Sequence, residues 1–291
     1  MRRNGRVVQN ATSCEFLSQR TAAQIKPEAA KVVYWTNVST DTKVSVGQHT
    51  LQWGILSANG VAQSPYGQRF AMGRIGKPIH FAGSSLSDRA HICAFFNSTE
   101  DSHRVLLPFI SEGLEAGEKT LHTIDPKKRD DHIRWLNSAG IDVVAALNQE
   151  RLEILDWTES HLRSGRFDQQ WTLNFWEKSA HAAKNKGFPL VRFVSEMEWV
   201  LETDLDPNEL LEYEAKANDA SMRRDGPVNP AICVYDLKKF RGDIVMDVMR
   251  THPLIIVGGV LQNNSFFVPP EEFLNELRAR RTDRNNSTPA A

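Results

Sequence analysis

The chain has 291 residues, of which 41% are hydrophobic, and a formal net charge of −1, so it can hold one large or two modest domains. No run of 18 apolar residues occurs and no charged–apolar–small leader opens the sequence; no membrane partner and no secretion are expected, and a cytoplasmic location follows by default. Cys14, Cys93 and Cys233 stand far apart without a CxxC pair, which argues against a disulfide framework or a structural zinc site.

Residues 1–71 are expected to form a poorly ordered leader. They are rich in Ser, Thr, Asn, Gln and Gly and sustain no apolar period. Residues 1–75 carry nine Lys/Arg against three Asp/Glu, but these are scattered and form no basic stripe. The stretch Leu56–Ala62 faintly resembles the turn of a helix-turn-helix, yet Ser64-Pro65-Tyr66-Gly67 breaks any recognition helix at once. DNA contact through residues 1–71 therefore stays a minor alternative.

From Pro78 onward, strands and helices alternate. The first strand, His91–Phe96, leads through Asn97-Ser98-Thr99-Glu100-Asp101 into an amphipathic helix over Glu100–Ala116 and a second strand over Lys119–Ile124. Further strands are predicted at Leu152–Leu155, Leu190–Val194, Ala231–Tyr235, Leu254–Val257 and Phe266–Val268. Helices are predicted at Pro126–Ala139, Asp168–Asn185, Pro207–Ala220, Gly242–Thr251 and Pro270–Arg280. Asp125-Pro126 and Asp206-Pro207 place a capping residue before a proline at the first helical position. Continuously apolar central strands fit a sheet covered on both faces. The reading is α/β: one doubly wound, mostly parallel sheet over residues 76–281, with a disordered tail over residues 282–291.

The loop after the first strand has no glycine and two carboxylates, so it lacks the cradle that holds phosphate in nucleotide hydrolases. Gly113-x-x-x-Gly117-x-Lys119-Thr120 has the wrong spacing for such a cradle and runs from helix to strand; Gly117 is better read as the residue that ends the helix. No Ser lies in a nucleophile elbow, so a hydrolase gains no support.

The segments His91–Phe96, Gly165–Asp168, Glu196–Trp199, Glu212–Glu214, Cys233–Asp236, Thr251–Pro253 and Phe266–Pro270 together resemble the MEDS (methanogen/methylotroph, DcmR sensory) domain family, from about Ile79 to Arg280. The resemblance implies a RecA/KaiC-like core with a degenerate nucleotide site. It also implies a sensing role beside a DNA-binding segment, or one feeding a histidine kinase or a transcription regulator. The ligand it implies is a small molecule, with an apolar one-carbon compound as the family analogy.

Open α/β sheets bind ligands beyond the carboxyl ends of their strands. On that rule the candidate ligand-binding residues are Phe96, Asn97, Glu196, Glu198, Trp199, Tyr235 and Asp236. A carboxylate there accepts hydrogen bonds and an indole covers apolar surface. The plainer alternatives are a helix-start carboxylate beside a core tryptophan, and Asp236 as a turn cap. His91, Cys93 and Cys233 could hold a soft metal if their strands neighbour one another, but alternate spacing along a strand is commonplace, and no metal or cofactor is expected. His252 lies at the amino end of its strand and reads as a turn residue. The expected protein is a non-catalytic, small-molecule-sensing regulatory domain; the alternatives are a weak RecA-like ATPase organised by Glu196 and a ligand-free interaction module.

Overall fold

The computed structural model describes residues 78–86, 89–222 and 229–287. The expected leader, residues 1–71, lies outside the described residues. In chain order the elements are β1 (Ile79–Phe81), β2 (Ser84–Leu86), β3 (Ala90–Phe96), α1 (Thr99–Glu115), β4 (Lys119–Ile124), α2 (Arg129–Ser138), α3 (Val143–Asn148), β5 (Leu152–Asp156), α4 (Gln169–Asn185), β6 (Val191–Glu196), α5 (Pro207–Met222), β7 (Pro230–Asp236), α6 (Gly242–Arg250), β8 (Leu254–Val257), β9 (Val260–Asn263) and α7 (Pro270–Ser287). Short 3-10 turns cover Pro126–Lys128, Arg163–Gly165 and Met197–Glu202.

Seven strands form one sheet in the order β5-β4-β6-β7-β3-β8-β9, parallel throughout except for β9. Side chains alternate across it. Ile92, Ala94 and Phe96 of β3 pack with α1, α2, α3 and the β1–β2 hairpin. Cys93 and Phe95 pack with α5, α6 and α7 on the opposite face, and Leu121 of β4 and Val191 of β6 pack with Ala183 of α4. Helices thus cover both faces, and the expected mostly parallel α/β architecture is present.

Local chemistry sets the element starts. Ser98, Asp142 and Asp168 each accept a hydrogen bond from a first-turn backbone N–H, which caps α1, α3 and α4. Asp125 accepts from Lys127 N–H, so Pro126 opens a 3-10 turn and α2 begins only at Arg129. Gly117, with φ +74°, ends α1 as its sequence context predicts.

Three expectations require correction. The strand predicted at Phe266–Val268 is absent; its place in the sheet is taken by β9, which Gly258 and Gly259 fold back onto β8 through a two-residue turn with both φ positive. Phe266 instead follows a turn in which Asn264 accepts from its N–H. The strand expected first, His91–Phe96, is preceded by the β1–β2 hairpin, with Ile79 and Phe81 of β1 buried against α1. Helix α7 runs seven residues past the predicted end at Arg280, reaching Ser287, because no glycine or proline intervenes to stop it.

Candidate functional site

The sequence-predicted residues separate into two environments. At the carboxyl edge of the sheet, Glu196 ends β6 and accepts a 3.2 Å hydrogen bond from Asp125 N–H; Lys128 Nζ lies 3.8 Å from it and 3.1 Å from Glu198. Lys239, after β7, also pairs with Glu198. Burial pushes the Glu196 carboxyl above the usual range, against the pull of Lys128. Asn97 is exposed at the same edge, and Asp236 accepts from Lys238 N–H within its own turn. The two carboxylates and two lysines form a partly exposed, charge-balanced cluster able to exchange hydrogen bonds with a polar ligand.

Phe96, Trp199 and Tyr235 are not at that edge's surface. Phe96 packs beneath α1. Trp199 is fully buried, its ring stacked on His161 at 4.8 Å and on Phe167 at 4.7 Å. Tyr235 is buried on the α5 face and its hydroxyl donates to Glu214 Oε1. A surface depression lined by Arg166, Phe167, Leu201 and Glu209 contains none of the seven predicted residues.

The most concentrated chemistry lies between β3, β7, the turn before β8, and α5. His91 Nε2 is 3.4 Å from Glu214 Oε2 and 3.5 Å from Cys233 Sγ. Cys233 Sγ lies 3.7 Å from Glu214 Oε2, and His252 Nε2 lies 3.4 Å from the same oxygen. The two imidazoles stack at 4.1 Å. All four residues are buried, and their ligand atoms lie within 4.8 Å of one another. Cys93 is directly opposite Cys233 in the β3–β7 register, and its thiol is free.

Charge in this cluster is strongly biased. Burial lowers His91 to about 3 and pushes the Cys233 thiol up to about 12. Burial alone would raise Glu214, but the opposing charge and hydrogen bond of His252 prevail and hold it at about 2. His252 is raised, its burial outweighed by the neighbouring Cys93 and Glu214. His252 Nδ1–H donates to Val248 O at 3.0 Å, which turns Nε2 toward the carboxylate. His91 Nδ1 has no hydrogen-bond partner, and His252 Nε2 faces Glu214 Oε2 at 3.4 Å.

The strand-end rule missed Glu214 and His252, because Glu214 is mid-helix and His252 stands at the amino end of β8. A different signal pointed there. The segments around His91, Phe167, Trp199, Tyr213-Glu214, Cys233-Val234-Tyr235 and His252 converge on one buried region, where Phe167 meets both Trp199 and Tyr213, and Tyr235 meets Glu214. His91 and Cys233, which the sequence raised as metal donors only to set aside, do meet.

A family model described as the MEthanogen/methylotroph, DcmR Sensory domain (MEDS) matches residues 90–253. The transcriptional repressor DcmR of Methylorubrum extorquens (strain DSM 6343 / CIP 106787 / DM4) is 23% identical over 181 residues, which cover 59% of this chain and 61% of the repressor. The match thus spans under two thirds of that relative's length. The chain belongs to the MEDS domain family.

Proposed function

We propose that this member of the MEDS family is a cytoplasmic, non-catalytic regulatory protein that senses a small molecule and passes the signal to a transcription regulator or a histidine kinase. The observation that carries the non-catalytic reading is the β3–α1 turn. It spans only Asn97 and Ser98, Ser98 caps the helix with its own side chain, and Glu100 and Asp101 occupy the first turn. Carboxylates at a helix N-terminus oppose a phosphate there, since the site's positive partial charge is already used. A parallel core with β3 inside the sheet and crossovers on both faces supports a RecA/KaiC-like frame whose nucleotide site is degenerate.

The partly exposed Glu196–Lys128–Glu198–Lys239 cluster is the proposed ligand contact, because it stands at the carboxyl ends of β4, β6 and β7. The similarity to a transcriptional repressor supports a regulatory output. One observation favours a second reading, weak ATP hydrolysis: Glu196 ends β6, where an acidic residue could organise a magnesium ion. A thermal-shift panel of one-carbon compounds, short alcohols, carboxylates and Mg-ATP separates the two. Stabilisation by a small organic compound, weakened in Glu198→Gln, fits the sensor. Stabilisation by Mg-ATP with turnover that Glu196→Gln abolishes would replace it. Saturation at 100 times Kd is worth about 2.7 kcal/mol, a readable shift.

A further inference from the structure

We propose that His91, Glu214, Cys233 and His252 form a closed four-ligand centre for a borderline divalent transition-metal ion of the zinc class. A tetrahedral ion holds nitrogen and oxygen at about 2.0–2.1 Å and thiolate sulfur at about 2.3 Å, which sets ligand-to-ligand edges near 3.3–3.7 Å. Four of the six edges fall in that range: 3.4 Å from Glu214 Oε2 to each imidazole Nε2, 3.5 Å from His91 Nε2 to Cys233 Sγ, and 3.7 Å from Cys233 Sγ to Glu214 Oε2. The remaining two edges are no longer than 4.8 Å, so closure on an ion requires a shift of about an ångström in one imidazole.

The surroundings are those of a metal site. His252 donates Nδ1–H to Val248 O, the outer contact that fixes the tautomer of a ligating histidine and leaves Nε2 for the ion. Tyr235 donates to Glu214 Oε1 and so directs Oε2 inward. His252 Nε2 faces the Glu214 Oε2 oxygen at 3.4 Å deep in the interior. The Glu214 carboxylate and the Cys233 sulfur lie side by side in this interior, where a thiolate would repel the carboxylate; a divalent ion balances both charges. Mixed nitrogen, sulfur and oxygen donors select a zinc-class ion over magnesium or calcium. The ligands come from β3, α5, β7 and the turn before β8, so the ion would pin α5 to three chain segments. On binding, the Cys233 thiol and the His252 imidazolium each give one proton to solvent as the sulfur–metal and nitrogen–metal bonds form.

The test uses the full chain, stripped with a chelator and titrated with cobalt(II). Expected are stoichiometric uptake, a thiolate-to-cobalt charge-transfer band in the near ultraviolet, and strong visible bands of a four-coordinate ion. Zinc should displace the cobalt. Cys233→Ala should lose the charge-transfer band. Tyr235→Phe removes only the outer contact on Glu214; it should keep the fold by circular dichroism and weaken uptake by about 10–100-fold. A folded, stripped chain that binds no cobalt overturns the centre and leaves an imidazolium–carboxylate pair in its place. Binding without a thiolate band, a band that persists in Cys233→Ala, or unchanged affinity in Tyr235→Phe also overturns it. None of these results bears on ligand binding at Glu198, which a separate variant tests.

Discussion

Arg192 sits on β6 with its side chain almost wholly buried, donating to Phe109 O at 2.7 Å and pairing with Glu118. An ideal Cβ on Gly113 would lie 2.7 Å from the arginine's Cδ and Nε. The glycine that superficially suggested a phosphate loop is therefore the space through which Arg192 passes. Arg192→Met leaves Glu118 buried without its cation and should cost about 3–5 kcal/mol, read from urea midpoints. Gly113→Ala gains helix propensity but pushes on a pinned guanidinium, so it should destabilise by about 1–3 kcal/mol in the same assay. A second expectation concerns acid. Burial lowers His132 to about 4 and His161 to about 3 from an ordinary 6.5, and His122, bonded to His132, falls well below it. The unfolded chain therefore takes up protons near pH 6.5 that the folded chain refuses. Stability from these groups is full above that pH and is lost as pH falls toward 4. Between pH 6.5 and 5 each such histidine should cost roughly 1.5 kcal/mol. Urea midpoints measured across that range should fall, and less steeply in His161→Phe; a flat profile contradicts the burial argument.

At the scale of elements, the two ends of the sheet's β3 neighbourhood depend on small local devices. Ser98 accepts from Asp101 N–H at 3.2 Å and is the side-chain cap of the longest helix on its face. Ser98→Ala should lower stability by about 1 kcal/mol, whereas Ser98→Asp should keep it, as thermal melts would report. The β8–β9 hairpin depends on Gly258 at φ +60° and Gly259 at φ +79°. No atom lies within 4 Å of a Cβ added at Gly258, so any cost there is backbone strain alone. Gly258→Val should cost about 1–2 kcal/mol and Gly258→Asn distinctly less, because asparagine tolerates the left-handed region. Equal losses in the two variants would mean that crowding, not φ, decides.

For the whole molecule, the three apolar clusters draw on residues between Ile79 and Leu277, and every element of the sheet lies within that span. Among the described residues no helix is long and apolar enough to cross a membrane. A fragment of residues 72–291 should accordingly melt cooperatively within a few degrees of the full chain. A large loss of cooperativity on truncation would show that residues 1–71 contribute packed surface. The two candidate sites lie on adjoining strands: Glu196 of β6 pairs in register with Val234 of β7, whose neighbours Cys233 and Tyr235 face Glu214.

Six of the seven strands in the large sheet, and every helix except α3, could be read from the sequence. Their apolar runs and caps are local signals, and Asp125, Asp168 and Gly117 act within a few residues of themselves. The six-residue α3 escaped because it is shorter than one sustained amphipathic repeat. The carboxyl-edge carboxylates Glu196 and Glu198 were legible because strand ends are positions in a pattern. The buried quartet was not. Glu214 reads as one helix carboxylate among several, and His252 as a turn residue before Pro253. Only crossover connections that carry β7 beside β3, and lay α5 over both, bring His91 and His252 to 3.4 Å, and Cys233 to 3.7 Å, from one Glu214 oxygen. Local sequence chemistry decides which elements form; side-chain juxtaposition across 142 residues, as between His91 and Cys233, is decided by the topology of the sheet alone.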